Sequence, residues 1–117
     1  MDKLCEKWKK GAEILKESTD EKVKNLSVYA EVSYIHFLSD RLHTEYAKLK
    51  RDIKANAKRL IEIIDREREI TDRLLFLVDR SPIAFETSNH YFYTERNLKI
   101  KLLELDLLKE ELAKRYL

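Results

Sequence analysis

Hydrophobic residues recur at every third or fourth position along most of the chain, and this spacing predicts amphipathic α-helices. The chain has one glycine and one proline, too few for the hairpins of a β-sheet protein. The predicted helices span about residues 2–17, 19–52, 56–80 and 95–116. We therefore predict an all-α fold, a single domain over residues 1–117 that forms an antiparallel helical bundle of three to four helices.

The first predicted helix has one apolar stripe, which contains the only tryptophan of the chain. Leu4, Trp8, Ala12 and Leu15 share this stripe, so Trp8 is predicted to anchor the buried face. Gly11 lies beside the stripe, and a glycine costs roughly 1 kcal/mol relative to alanine inside a helix. We expect a close contact with a neighbouring helix at Gly11. The alternative is that the glycine only loosens the end of a short helix.

A capping box predicts where the second helix begins. The hydroxyl of Ser18 is placed to accept a hydrogen bond from a free backbone N–H, and the carboxylate of Glu21 is placed to reach back to the cap. The turn between the first two helices is short, so we expect them to pack antiparallel.

The sequence leaves the boundary between the second and third helices ambiguous. Ile53 and Ala57 keep the helical spacing, and no glycine or proline interrupts it. The residues around them are polar, however, and Asn56 is a suitable cap for a new helix. We favour a break near residues 52–57 over one continuous rod. A helix of about 60 residues would be ~90 Å long and would need a dimer to cover its stripe.

Residues 81–94 lack helical periodicity. Pro82 removes a backbone N–H and pushes Ser81 out of the α region, so the preceding helix ends there. A flexible linker would be rich in Gly and Ser, whereas this stretch is rich in Phe and Tyr. We therefore predict an ordered aromatic loop before the last helix.

The same stretch carries the side chains that we predict as ligand or interdomain contacts. A carboxylate, an amide, an imidazole and two phenols can hydrogen-bond hydroxyl groups while aromatic rings stack on a sugar face. These residues are Glu86, Asn89, His90, Tyr91 and Tyr93. The alternative is structural: Asn89 closes a turn and the aromatic residues plug the end of the bundle. For most of these side chains taken singly, we favour the structural role.

The last predicted helix has two apolar stripes. The first consists of Leu98, Leu102, Leu105, Leu108, Leu112 and Tyr116. The second contains Ile100, Leu103 and Leu107, and a patch of that size signals a partner. Either this helix is central in the bundle, or the second stripe is an interface. We predict a homodimer of the isolated chain through that interface.

Charge and hydropathy argue against two classes of partner. The chain has 24 Lys and Arg against 22 Asp and Glu, and the net charge of +2 is spread along all the helices. This distribution argues against a nucleic-acid partner, which a basic stripe would attract. The apolar runs are too short for a membrane span and the N-terminus lacks a signal-peptide core, so we expect no membrane partner. The sequence does not indicate a compartment.

Candidate metal ligands and nucleophiles are few. His36, Asp40 and His43 fall on one helical face, and imidazole and carboxylate suit zinc or iron. We favour structural or solvated roles because no fourth ligand lies at motif spacing. Cys5 permits no internal disulfide, and we interpret it as a small core residue. We therefore predict no metal, no cofactor and no catalytic residue in this chain.

One sequence segment resembles a motif found in a known group of proteins. Residues 83–94, I-A-F-E-T-S-N-H-Y-F-Y-T, resemble the closing segment of large bacterial glycoside-hydrolase-like proteins, which carry a phrase of the form G-F-E-A-S-N-H-Y-F-Y-T. Residues 30–37 resemble an upstream helix of the same tails, and Trp8 with Gly11 resembles its lead-in. The chain departs from the pattern at Thr87, where the phrase has alanine, and in a shorter stretch around residues 50–58.

The resemblance implies a helical C-terminal accessory domain. In such proteins a sugar-processing barrel would precede this region and carry the catalytic carboxylates, so no catalytic residue transfers to this chain. Our first hypothesis is a non-catalytic accessory domain that packs on the catalytic domain of the same polypeptide. The second is a self-standing homo-oligomerisation or protein-interaction module. An enzyme in its own right comes last, because no acid–base pair with a plausible geometry can be argued.

Overall fold

The computed structural model describes residues 2–80 and 95–117, and every regular element in these two ranges is helical. In chain order they are α1 (Asp2–Lys16), α2 (Glu21–Leu49), a short 3-10 helix (Lys50–Asp52), α3 (Ile53–Arg80) and α4 (Glu95–Tyr116). The all-α prediction is confirmed for this part of the chain. The predicted aromatic loop, residues 81–94, lies outside it.

The first two helices run antiparallel. Lys16 at the end of α1 forms an ion pair with Glu31 of α2, with 2.6 Å between Nζ and Oε1. Trp8, in the middle of α1, stacks on Phe37 farther along α2, and their ring centroids are 6.2 Å apart. α1 therefore lies along the first half of α2.

α2 and α3 form an antiparallel pair that reverses at the 3-10 helix. Arg59 of α3 donates two hydrogen bonds to the carboxylate of Glu45 on α2. Arg73, farther along α3, donates two to Glu31, nearer the start of α2. A residue later in α3 thus contacts a residue earlier in α2, as in a helical hairpin. The chain therefore does not continue as one rod.

α4 packs antiparallel on α3. Leu98 near the start of α4 lies in the same buried cluster as Leu74 of α3, and Leu112 near its end lies with Leu60. Among the described residues, the helices whose backbones approach closely are successive ones: α1 with α2, α2 with α3, and α3 with α4.

Two polar side chains hold the reversal between α2 and α3. Oδ1 of Asp52 accepts a hydrogen bond from the backbone N–H of Ala55 (3.3 Å) and so caps the first turn of α3. Nδ2 of Asn56 donates to the backbone carbonyl of Leu49 (3.1 Å), at the end of α2. α2 ends at Leu49 and α3 begins at Ile53, each three residues before the approximate bound that the sequence predicted. Asn56 bonds the end of α2, whereas Asp52 caps the first turn of α3.

The start of α2 also differs from the prediction. α2 begins at Glu21, and its N-cap is Asp20, whose carboxylate accepts from the backbone N–H of Lys22 (2.9 Å). The hydroxyl of Ser18 accepts from the backbone N–H of Asp20 (3.1 Å). Ser18 therefore orders the turn before the helix. Asp20, which is nearer to α2, takes the capping role that we predicted for Ser18.

Two clusters of buried side chains form the core. The larger lies mainly between α2 and α3, with one residue each from α1 and α4: Cys5, Val32, Ile35, Leu38, Leu42, Ile63, Ile70, Leu74, Leu77 and Leu98. The smaller joins α3 to the second half of α4: Leu60, Ile64 and Leu112. The α2–α3 pair is thus the centre of the fold, and α1 and α4 flank it.

The buried side of α1 is shifted from the predicted stripe. Cys5 and Ala12 are both 4% exposed, whereas Leu4 and Trp8 are 39% and 37% exposed. The small residues face the core and the tryptophan covers its edge, so the prediction that Trp8 anchors the buried face is wrong. The core position of Cys5 is confirmed. A Cβ added at Gly11 would meet no heavy atom within 4 Å, so the predicted close helix contact there is also wrong.

Candidate functional site

α4 presents an apolar face to solvent. Ile100, Leu103 and Leu107 are 42%, 64% and 66% exposed. Their spacing of three and four residues places them on one side of the helix, which we call the α4 face. Leu98 and Leu112 of the same helix are buried against other helices. Within the described part of the chain, α4 is therefore buried on one side only, which favours the interface over a central α4.

The exposed large hydrophobic side chains are concentrated towards the C-terminus. Twelve large hydrophobic side chains are exposed among the described residues, and half of them belong to α4 or to the residue after it. These are Ile100, Leu103, Leu107, Leu108, Tyr116 and Leu117. Single exposed apolar residues are ordinary on protein surfaces, but a concentration on one helix is typical of an interaction surface.

The five residues predicted as ligand or interdomain contacts lie outside the described residues. Glu86, Asn89, His90, Tyr91 and Tyr93 all fall between the end of α3 and the start of α4. Their predicted roles stay predictions.

A buried carboxylate links three helices at the centre of the fold. Glu67 of α3 is 2% exposed. Its Oε1 accepts hydrogen bonds from Oγ of Ser39 on α2 (2.6 Å) and from Nζ of Lys101 on α4. Nε2 of His43 on α2 lies 3.4 Å from the same oxygen. All three donors thus converge on Oε1. None of the described residues donates a hydrogen bond to the buried Oε2.

These contacts keep Glu67 ionised. Burial disfavours the charged carboxylate and would raise the pKa of Glu67, but the hydrogen bonds from His43, Lys101 and Ser39 outweigh burial and lower it from 4.5 to about 2. The hydrogen bond to Glu67 raises the pKa of His43 above its ordinary 6.5, and burial opposes this only in part. A carboxylate with so low a pKa is a weak base at neutral pH.

A second buried carboxylate links α1, α2 and α3. Glu31 of α2 is 8% exposed. Its Oε1 accepts from Nζ of Lys16 (2.6 Å) and from Nη2 of Arg73 (2.9 Å), and its Oε2 accepts from Nε of Arg73. Burial raises the pKa of Glu31, but the hydrogen bonds from Arg73 and Lys16 lower it below 4.5 overall. Each flanking helix thus sends one lysine to a carboxylate of the central pair, Lys16 from α1 and Lys101 from α4.

A cavity of about 660 Å³ borders Glu67 and lies between α2, α3 and the start of α4. Its walls are largely apolar, and they include Val32, Ile35, Ile70, Leu74 and Leu98. Its polar side includes Ser39, His43, Glu67 and Lys101. This size, with apolar walls and a few convergent polar groups, is typical of sites that bind small molecules.

The three residues considered as metal ligands do not converge. Nε2 of His36 lies 3.5 Å from Oδ2 of Asp40, whereas His43 contacts Glu67 on the next helix. In residues 2–80 and 95–117, no group of three or more His, Cys, Asp or Glu side chains is arranged to hold a metal ion.

Sequence reasoning missed both buried carboxylates, although a signal for them was present. Glu67 follows Ile63 by four residues and precedes Ile70 by three, so it occupies a core position of the α3 stripe. Glu31 likewise follows the buried Ser27 by four residues and precedes the buried Ile35 by four on α2. A charged residue at a core position requires a buried partner, and that requirement would have pointed to the ion pairs.

Comparisons with known proteins add no assignment. No protein-family model, no curated protein and no solved structure matches the chain. Among the helices that the structure describes, none is both long enough and apolar enough to cross a membrane. The α4 face and the cavity beside Glu67 are two candidate sites among the described residues.

Proposed function

We propose that the chain is a non-catalytic helical module that forms a homodimer through the α4 face. The observation that carries this proposal is the exposure of Ile100, Leu103 and Leu107 on one side of a helix whose other side is buried. Burying such a face removes apolar surface from water, and this favours association by about 25 cal/mol for each Å² buried.

The composition of the face supports a second copy as the partner. Ile100, Leu103 and Leu107 have the spacing of a short heptad seam, and most homo-oligomers pair one patch with the same patch across a two-fold axis. Lys99 and Glu104 border opposite edges of this seam. A parallel partner in register would place each Lys99 beside Glu104 of the other copy, which favours the pairing electrostatically.

The state of Glu67 argues against this one residue as a general acid or base. It is the most buried carboxylate of the described residues, and three donors hold it ionised through one oxygen. General acid–base catalysis at neutral pH needs a pKa near the working pH, and the pKa of Glu67 is about 2.

Analytical ultracentrifugation of wild type, Leu103→Lys and Ile14→Lys tests the dimer. Ile14 is 68% exposed on α1 and so serves as a control for adding a lysine to an exposed apolar site elsewhere. We expect dimers for wild type and Ile14→Lys, and monomers for Leu103→Lys because its ammonium groups would be buried against each other. A wild type that stays monomeric at high concentration, or a Leu103→Lys variant that still dimerises, would refute the proposal.

A second candidate rests on the phrase in residues 83–94, which resembles the tails of glycoside-hydrolase-like proteins. In this version the chain is an accessory domain, and the α4 face packs on the catalytic domain of the same polypeptide. The genomic reading frame discriminates between the two candidates: a barrel-coding region upstream in frame favours the accessory domain, and a start codon at Met1 with a nearby stop favours the self-standing module.

A further inference from the structure

The lysines and the large apolar residues of α1 lie on adjacent sides of the helix. Lys3, Lys7 and Lys10 follow one another at steps of four and three residues, so they lie on one side, which we call the basic stripe. Leu4 and Trp8 each directly follow a lysine of that stripe, and successive residues are about 100° apart around a helix. They therefore form an apolar stripe beside the basic one.

The carboxylates of α1 border the opposite edge of the basic stripe. Glu6 directly precedes Lys7, and Glu13 lies seven residues after Glu6, on the same side of the helix. Glu13 also lines a cavity between α1, α2 and α3 together with Arg66 and Arg73. The acidic side of α1 is thus turned towards the arginines of α3. The basic and apolar stripes together form the outer side of the helix, which we call the α1 face.

The lysines of the α1 face have no ionic partner among the described residues. Lys3, Lys7 and Lys10 are exposed, and no described side chain forms a hydrogen bond or an ion pair with them. By contrast, Arg59 of α3 and Lys101 of α4 each contact a carboxylate. The α1 face therefore presents three unpaired ammonium groups.

Large apolar side chains are exposed on the same face. Leu4, Trp8 and Ile14 are 39%, 37% and 68% exposed. Ile14 follows Lys10 by four residues, so it lies within the basic stripe. Trp8 stacks on Phe37 of α2, which holds its ring at the edge of the bundle. Lysines that alternate with Trp, Leu and Ile on one exposed helix face are typical of helices that lie on a lipid surface.

Both kinds of side chain favour an anionic lipid surface as the partner. Each ammonium group can contact a lipid phosphate, while the aliphatic stem of the lysine lies along apolar surface. Tryptophan is enriched at the boundary between headgroups and acyl chains. A purely acidic surface would pair the lysines but leave Ile14 in contact with charge, whereas a bilayer offers phosphate groups and hydrocarbon at adjacent depths.

We propose that the α1 face binds the surface of an anionic phospholipid bilayer, with the basic stripe on the lipid phosphates and with Leu4, Trp8 and Ile14 among the headgroups. The expectation of no membrane partner rested on the lack of a membrane span and of a signal peptide, and binding to the surface needs neither. Among the described residues, the backbone of α1 makes no close approach to α4. The proposed surface is therefore separate from the α4 face and does not depend on the dimer.

Vesicle flotation of the full chain tests the partner. One set of vesicles is phosphatidylcholine alone, and the other is an equal mixture of phosphatidylcholine and phosphatidylserine. Three lysines near an anionic surface should raise the partition into the mixed vesicles about a hundredfold over that into phosphatidylcholine, and added salt should lower it. Equal partition into both sets, or no binding to either, as an acidic protein partner would give, would overturn the proposal.

Lys7→Gln/Lys10→Gln tests the basic stripe. Lys54→Gln/Lys58→Gln is the matched control, because it makes the same change of net charge at exposed positions of α3. The first double variant should lose about tenfold or more of its affinity for the mixed vesicles, and the control should change little. All four lysines are exposed, so both variants should fold. Equal losses would show that net charge drives binding and would contradict a site on α1.

Ile14→Ser tests the apolar part of the contact, and Leu26→Ser is its control at a 53% exposed site on α2. Because Ile14 is placed among the headgroups, its loss should weaken binding to the mixed vesicles by about fivefold, whereas Leu26→Ser should bind like the wild type. An unchanged affinity of Ile14→Ser, or the same loss in both variants, would rule out the proposed orientation.

The single tryptophan reports on placement in the unmodified protein. On binding to the mixed vesicles, the emission of Trp8 should shift to shorter wavelength and should be quenched by phospholipids brominated near the headgroup end of their acyl chains. Binding without either change would show that another surface of the protein contacts the vesicle, and would refute the α1 face as the site.

Discussion

The hydroxyl of Ser39 and Oε1 of Glu67 lie 2.6 Å apart and join the middle of α2 to the middle of α3. Lys101 brings α4 to the same oxygen. Because Glu67 is almost fully removed from water, its charge is tolerated only with such donors. The packing of three helices therefore depends on one polar group as well as on the hydrophobic core.

Glu67→Ala should strongly destabilise the protein. The substitution leaves the hydroxyl of Ser39 and the ammonium of Lys101 without their acceptor and opens space in the core, so we expect a loss of about 3 kcal/mol. Urea unfolding measures this loss. Glu62→Ala is the control, because Glu62 contacts Arg59 at an exposed position of α3, and it should cost less than about 1 kcal/mol. Similar losses for both variants would mean that the buried contacts contribute little.

Stability should depend on pH in two separate windows. Glu67 and Glu31 have lower pKa values in the folded protein than their ordinary 4.5, so their contribution is complete above pH 4.5 and is lost as the pH falls through the folded values, about 2 for Glu67. The pKa of His43 is raised above 6.5, so its contribution is complete below 6.5 and is lost as the pH rises through the folded value.

His43→Gln separates the two windows. Urea unfolding of wild type and variant from about pH 3 to about pH 9 should show the acid decrease in both proteins. The decrease above pH 6.5 should be reduced in the variant, because its side chain does not titrate. An alkaline decrease of the same size in both proteins would show that another group causes it.

Gly11→Ala should stabilise the protein. A Cβ at this position meets no heavy atom within 4 Å, and the residue lies inside α1. Alanine restricts the unfolded chain and favours the helix, so we expect a gain of up to about 1 kcal/mol and a Tm higher by a few degrees. Thermal unfolding by circular dichroism measures the change. A lower Tm would indicate the close helix contact that the sequence suggested.

Asp52→Ala should weaken the connection between α2 and α3. It removes the acceptor for the backbone N–H of Ala55, and loss of an N-cap typically costs about 1 kcal/mol. Lys54→Ala changes an exposed neighbour outside the cap and should be nearly neutral. Chemical unfolding of both variants tests the assignment, and it is wrong if Lys54→Ala costs as much as Asp52→Ala.

The helices of this protein were predictable from its sequence because their apolar spacing is long and regular. The predicted start of the last helix at residue 95 and its end at residue 116 agree with α4. The approximate bounds near residues 19, 52 and 56 differ from the structure by two or three residues, because several polar residues near these positions can cap a helix. Asp20 caps α2 where Ser18 was predicted to do so, and Asp52 caps α3 where Asn56 was predicted to do so.

The candidate sites were predictable only in part. The exposed second stripe of α4 follows from counting apolar positions on both sides of one helix, so Ile100, Leu103 and Leu107 could be named in advance. The burial of Glu67 could have been anticipated from its core position on α3, but its partners could not, because they depend on how three helices rotate relative to one another. Ser39 and Lys101 lie 28 and 34 residues from Glu67 in the chain, and no local pattern relates them to it.

The packing of each helix on the one before it has a consequence for how the protein forms. Native contacts between sequence neighbours need little loop closure, and proteins dominated by such contacts fold on microsecond to millisecond timescales. During synthesis, α1 and α2 can pair as soon as both have been made, and α3 can join them before α4 exists. Lys101 is made after Glu67 and its other partners, so this carboxylate lacks its cationic partner until α4 has been synthesised.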